Sequence, residues 1–145
     1  MRLIGLDLGS KSMGIAITDS QQTIVSGLEN FWYQKQNLHI CLNKIKQLLV
    51  YYTNDVQAII LGYPTDVNGK KNSQTLLVEQ FYNLLVQNIS CKVIYHDERY
   101  STKQATYDLK FNLGLKSSQI KKIKDKMSAV VILEDYLSSL KWSKL

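Results

Sequence analysis

The 145 residues carry 18 Lys and Arg against 12 Asp and Glu, a net charge of +6, with 45% hydrophobic residues and a single proline. That balance supplies a buried core and excludes a long disordered tail or a proline-rich linker, and no apolar run approaches the roughly 20 residues of a helical membrane span. Two widely separated cysteines, Cys41 and Cys91, exclude a disulfide scaffold or a cysteine zinc cluster, and the basic excess selects an anionic partner. The expectation is one domain over residues 1–145, in the cytoplasm: Met1-Arg2-Leu3 leads directly into strand-like sequence without a signal-peptide pattern.

The chain opens with three predicted strands, Leu3 to Leu8, Met13 to Thr18 and Thr23 to Glu29, separated by the turns Gly9-Ser10-Lys11 and Asp19-Ser20-Gln21. Connections this short join antiparallel neighbours, so the opening is a meander. From Asn37 the apolar period changes to that of a helix, through Leu38, Cys41, Leu42, Ile45, Leu48, Leu49 and Tyr52. Ala58-Ile59-Ile60-Leu61 is a fully apolar central strand, ending at Gly62-Tyr63-Pro64. A loop with Asn68-Gly69 and Lys70-Lys71 precedes a second helix over about Ser73 to Asn88. Lys92 to His96 is the last strand and closes at Asp97-Glu98-Arg99. Ser101 or Thr102 caps a third helix that Gly114 ends. A basic segment with Lys121, Lys122, Lys124 and Lys126 then leads into a final helix from Met127 to Leu140. A meander followed by helix-containing crossovers predicts an α/β fold: a mixed five-stranded sheet, three strands antiparallel and two parallel, with helices on both faces.

Three acids stand out along this series. Asp7 interrupts the apolar run Leu3-Ile4-Gly5-Leu6-Asp7-Leu8, and the pleat places it on one face with Leu3 and Gly5. An unpaired carboxylate there is costly and calls for a cation, a proton or a metal ion, although an aspartate ending a strand also serves to hydrogen-bond a turn. Asp97 and Glu98 both end the last strand, and alternation sends them to opposite faces without choosing between them. Asp125 precedes the apolar part of the final helix, where the helix dipole also favours an acid. Glu134, half a turn around that helix from Asp125, belongs to the solvated surface. Strand one, the end of the last strand and the final helix can converge in space. Converging carboxylates repel and need compensation, and hard oxygen donors suit one or two Mg²⁺ or Mn²⁺ ions, the arrangement that hydrolyses phosphodiesters.

The run Leu6-Asp7-Leu8-Gly9-Ser10-Lys11-Ser12-Met13-Gly14-Ile15-Ala16-Ile17-Thr18-Asp19 resembles the YqgF family of bacterial proteins, also called Holliday junction resolvases. Further blocks agree in order: Ile60-Leu61-Gly62-Tyr63-Pro64 with Asn68-Gly69, Asp97-Glu98-Arg99-Tyr100-Ser101-Thr102, and Asp125-Lys126-Met127-Ser128-Ala129-Val130-Val131-Ile132-Leu133. The resemblance implies a ribonuclease H-like fold and a metal-dependent nuclease in 5′-end maturation of the small-subunit ribosomal RNA precursor. It also implies Glu98, rather than Asp97, as the ligand beside Asp7 and Asp125. Ser12 stands where arginine is common in the family, and Ser128 replaces a frequent alanine.

Lys11, Arg99, Lys121, Lys122 and Lys124 lie close in sequence to the three acids and are the expected phosphate contacts, with Lys70-Lys71 a further pair. Each also reads as an ordinary solvated cation, and Arg99 as an ion-pair partner of its acidic neighbours. His39 and His96 read as packing residues, while Trp32, Tyr51, Tyr52 and Trp142 are either base-stacking groups or edge packing. RNA is the favoured substrate and a DNA four-way junction the alternative, with the ribosome or its precursors as a partner. A non-catalytic RNA-binding or assembly protein is the rival class. An actin-like ATPase shares the Asp-x-Gly turn but needs two domains, for which 145 residues leave no room. Monomer and homodimer stay open.

Overall fold

The structure, a computed structural model, describes the backbone of residues 1–34, 37–65, 68–97 and 117–143, and the side chains of all of these except 117–125 and 142–143. Its elements are β1 (Arg2–Leu8), β2 (Ser12–Thr18), β3 (Val25–Trp32), α1 (Leu38–Tyr51), β4 (Val56–Tyr63), α2 (Ser73–Asn88), β5 (Lys92–Asp97) and α3 (Ser117–Ser143). The strands form one five-stranded sheet in the order β3-β2-β1-β4-β5. β1, β2 and β3 pair antiparallel, and β4 pairs parallel with both β1 and β5, as the connection lengths predict.

Because side chains alternate across a strand, each strand feeds two cores. On one face Ile4, Leu6, Leu8, Met13, Ile15, Ile59 and Leu61 pack with Leu38, Cys41, Leu42 and Ile45 of α1 and Val78, Phe81 and Leu85 of α2. On the other, Leu3, Ala16, Ala58 and Ile60 pack with Ala129, Val130, Ile132 and Leu133 of α3. Among the described residues a single helix, α3, covers this second face by crossing it obliquely. The Lys126 side chain lies over Gly27 of β3, Ala129 and Leu133 lie over Gly5 of β1, and Asp135 reaches His96 of β5. The residues beneath the first part of this path, Gly27, Ala16 and Gly5, are paired across neighbouring strands and are all small, which lets the helix approach the sheet.

Several boundaries differ from expectation. Thr23, expected to open β3, lies in a turn because Asp19 captures it: the Asp19 carboxylate accepts from Thr23 N at 2.7 Å, Ile24 N at 2.9 Å and Thr23 Oγ1 at 2.8 Å. These bonds, led by the one from Ile24, hold the half-buried Asp19 carboxyl down at about 2. At the other end β3 runs on past Glu29 to Trp32, and β4 exceeds its apolar core on both sides. The final helix starts at Ser117 instead of Met127. No Gly or Pro interrupts Ser117 to Met127, its lysines are good helix formers, and Ile120, Ile123 and Met127 fall at i, i+3, i+7, so the helix propagates from Ser117. The helix expected between Ser101 or Thr102 and Gly114 lies outside the described residues. Among the described residues no helix is long and apolar enough to cross a membrane.

Ser128 of α3 is fully buried, and its hydroxyl has no hydrogen-bond partner among the described residues. A buried donor left unmade costs about 1 kcal/mol or more, and serine is a poorer helix former than alanine. Ser128→Ala is therefore expected to raise the melting temperature by roughly 3 °C, read by thermal denaturation. A lower melting temperature would show that the hydroxyl is satisfied.

Candidate functional site

Asp7 lies one residue from the end of β1, on the α3 side of the sheet. Its parity follows from its neighbours, since Leu3 belongs to the α3 core and Gly5 faces Leu133. The carboxylate is half-buried at the margin of an apolar strand. Its partner across the β1–β2 ladder is Gly14, so no β2 side chain fills the space beside it.

The backbone around Asp7 is secured from three directions. Gly9 N donates to Ser12 O at 2.7 Å and closes the β1–β2 turn. Tyr33, just beyond β3 and buried, donates its N–H to Lys11 O at 3.0 Å and its hydroxyl to Gly9 O. From α2, the Gln74 amide donates to Leu8 O. These contacts fix the end of β1 and the Lys11 backbone, while the Lys11 side chain is exposed. Nothing in the sequence marks Tyr33 or Gln74 for this role, because both act through contacts distant along the chain.

At the end of β5 the structure separates the faces that sequence alone leaves ambiguous. Ile94 packs in the α3 core, and His96 Nε2 lies 2.7 Å from Asp135 Oδ2 of α3, with the imidazole edge-on to Tyr136 at 6.1 Å. Val93 packs with the opposite core, and Tyr95 stacks against Tyr82 at 4.4 Å and Tyr63 at 4.6 Å on that side. The ladder to β4 is regular through Asp97, so Asp97 shares the face of Val93 and Tyr95, away from Asp7.

Of the remaining expected site residues, Glu98 and Arg99 lie outside the described residues. Lys121, Lys122, Lys124 and Asp125 have their backbone within α3 and their side chains outside what is described. Asp125 stands four residues, about one turn, before Ala129, which packs on the sheet over Gly5. It stands well inside the helix and not at its start, so the helix dipole, which fades within the first turn, gives no reason for an acid there. Among the described residues no group of three or more His, Cys, Asp or Glu comes together. Cys41 is buried in the α1 core, where burial pushes its thiol up to about 12, and Cys91 is half-buried; both are free thiols. His39 and Glu134 are exposed, as are Lys70 and Lys71, the latter 3.4 Å from Glu79. Gly69 takes the positive φ that the Asn68-Gly69 turn requires.

With this geometry in place, comparison with known proteins is informative. A family model described as RuvX, Holliday junction resolvase, matches residues 1–139. A protein of Ureaplasma parvum serovar 3 named "Putative pre-16S rRNA nuclease" is 50% identical over 143 residues, spanning 95% of this chain and 97% of its own. A protein of Mycoplasmopsis pulmonis with the same name is 39% identical over 140 residues, covering 96% of this chain and 94% of its own. Among solved structures, the fowlpox virus resolvase in complex with Holliday junction DNA superposes with a TM-score of 0.58 at 17% identity, over 97% of this chain and 99% of that one. RuvC of T. thermophilus, also bound to a Holliday junction substrate, gives 0.58 at 12% identity, over 92% and 90%. At those identities the likeness is one of fold, and the fold is ribonuclease H-like.

Proposed function

The chain belongs to the RuvX family, and on that premise we propose that it is a divalent-metal-dependent nuclease that hydrolyses phosphodiester bonds in maturing the 5′ end of the small-subunit ribosomal RNA precursor. The observation that carries the proposal is Asp7, a half-buried carboxylate at the end of an apolar strand, on the face crossed by the helix that contains Asp125. Asp97 faces away from Asp7, and Glu98 is the acid of that pair that the family resemblance assigns to the site. Asp7, Glu98 and Asp125 are the proposed ligands, and three carboxylates with space left open by Gly14 fit one or two Mg²⁺ or Mn²⁺ ions. Bound there, such ions supply activation of water and neutralisation of charge at the scissile phosphate.

The chain's own part is to hold the acids at fixed spacing and to position the strand to be cut. Tyr33 and Gln74 keep the β1 end from shifting under the repulsion of neighbouring carboxylates. The His96–Asp135 contact ties the end of β5 to α3, next to Glu98. Lys11 on its secured turn, with Arg99, Lys121, Lys122 and Lys124, is assigned to phosphates, which orients the backbone without reading bases. RNA is preferred over a DNA junction because the relatives at 50% and 39% identity carry the ribosomal RNA name, whereas the junction-bound structures share only the fold. We take residues 1–145 as a single domain acting in the cytoplasm on ribosome precursors.

The test is cleavage of an in vitro transcribed small-subunit precursor RNA and of a four-way DNA junction, each with Mn²⁺ and with EDTA. Cutting of the precursor near the mature 5′ end, lost in EDTA, is the expected result. Preferential cutting of the junction would replace the substrate and keep the chemistry. RNA binding without cutting under either condition would leave a binding module and end the nuclease reading.

A further inference from the structure

Of the lysines and arginines whose side chains are described, three are half-buried: Arg2, Lys44 and Lys126. Arg2 pairs with Asp55 at 2.9 Å and Lys44 with Glu29 at 2.7 Å. Lys126 meets no acid among the described residues. Its stem nevertheless has a fixed seat, in the space that Gly27 leaves on β3. A Cβ on Gly27 would sit 2.8 Å from Lys126 Cγ, 3.0 Å from Cδ and 3.3 Å from Cε. Three successive carbons at that range show a chain laid along the strand, so the ammonium, one bond beyond Cε, is delivered beside Gly27. β3 is the outermost strand and Gly27 is exposed, which leaves the ammonium within reach of a ligand. The face is that of Asp7: Gly27 pairs with Ala16, Ala16 pairs with Gly5, and both Ala16 and Gly5 lie beneath α3. Two strand spacings across and two residues along put Gly27 on the order of 12 Å from Asp7.

We infer that Lys126, seated on Gly27, is a phosphate contact of the substrate, and that the bound strand extends from Asp7 toward β3. The inference rests on the nuclease reading and specifies it: it states on which side of the site the strand lies. Three features favour a phosphate as the partner of this ammonium. A cation that has given up part of its hydration without a fixed counter-ion is stabilised by an anion that a ligand brings. A stem already held against the strand loses little freedom on binding, unlike that of an exposed lysine. The charge along α3 is also asymmetric. Where the helix reaches β5, the described group it brings to the sheet is the Asp135 carboxylate, 2.7 Å from His96, whereas over β3 it brings Lys126. A phosphate backbone is therefore drawn to the β3 side.

The experiment compares the parent with Lys126→Met, Lys126→Arg, Gly27→Ala and the double variant Gly27→Ala/Lys126→Met. Binding of a labelled single-stranded RNA oligonucleotide spanning the mature 5′ end is read by fluorescence anisotropy at several salt concentrations, with thermal denaturation alongside and steady-state cleavage of the same RNA with Mn²⁺ afterwards. Methionine keeps an unbranched stem over Gly27 and removes the charge. Lys126→Met is expected to lower the slope of log Kd on log salt by about 0.7 and so to weaken binding roughly 5-fold near 0.1 M salt, with the melting temperature unchanged. Lys126→Arg should restore both quantities. Gly27→Ala keeps the charge and pushes the stem aside, so it should lose part of the same binding, and the double variant should bind no more weakly than Lys126→Met. In cleavage, Lys126→Met should raise KM more than it lowers kcat. If the parent cuts RNA but Lys126→Met matches it in Kd and salt slope, this inference falls and the nuclease reading stands. A lowered melting temperature with the parent's salt slope would make the stem a structural cover and sink the inference likewise. Losses that multiply in the double variant would overturn the seating on Gly27. If the parent neither binds nor cuts RNA, both readings fall together.

Discussion

If Asp7 is a metal ligand as proposed, Asp7→Asn is expected to give a folded protein with cleavage reduced on the order of 10³-fold or more, because removing that charge forfeits several kcal/mol of transition-state stabilisation. The substitution keeps the shape of the side chain and removes only its charge. Asp7 is already half-buried, so the neutral amide costs little to accommodate. Retention of a cooperative melt together with loss of cutting, measured on the same preparation, separates a chemical role from a structural one. Excess Mn²⁺ should restore part of the activity if the loss is one of metal affinity. Unchanged cleavage in Asp7→Asn would remove the carboxylate from the mechanism and with it the centre of the proposed site.

The second large effect concerns Gly5, two residues earlier on the same face. A Cβ at this position would sit 2.5 Å from Leu133 Cγ and 3.1 Å from Ala129 O. Leu133 and Ala129 are both fully buried, and a backbone oxygen in a helix cannot swing aside. Gly5→Ala is therefore expected to destabilise the fold by about 1–3 kcal/mol, overpacking outweighing the smaller gain from restricting the unfolded chain. To relieve the clash α3 must move off β1, which displaces the helix that carries Asp125 relative to Asp7. Misplacement of about 1 Å can cost on the order of 10²-fold in rate, so kcat should fall more steeply than stability at a temperature where the variant is still folded. Pairing it with Leu133→Ala provides the check. A clash predicts that the double variant is more stable than the sum of the single losses, whereas additive losses would show that Gly5 and Leu133 do not meet.

Much of this arrangement is legible in the sequence because it rests on local rules. Alternation along Leu3, Gly5 and Asp7 places the acid on one face without reference to anything distant, and short turns identify the meander. Spacing does not choose between Asp97 and Glu98, since β5 is apolar on both sides, Val93 and Ile94 each entering a different core. Only the position of α3 on the Ile94 and His96 side tells the two faces apart. The true start of α3 was missed for another reason: Ile120 and Ile123 hold the helical spacing in its first turns but stand among lysines, so a reading that starts from the continuous apolar stretch begins the helix at Met127. The turn clamp by Tyr33 and Gln74, and the seat of Lys126 on Gly27, depend on contacts between segments far apart in the chain, which no local pattern encodes.

The diagonal course of α3 also bears on when the molecule becomes competent. The face it covers, Leu3, Ala16, Ala58 and Ile60, is built from strands made early, while the cover is the last element in the order. Contacts of such long range form late in folding, because their loop-closure cost must be met before they stabilise anything. Until the final helix docks, the apolar face formed by Leu3, Ala16, Ala58 and Ile60 stays open to water. Connectivity thus leaves this apolar face of the sheet uncovered until the last described element is made.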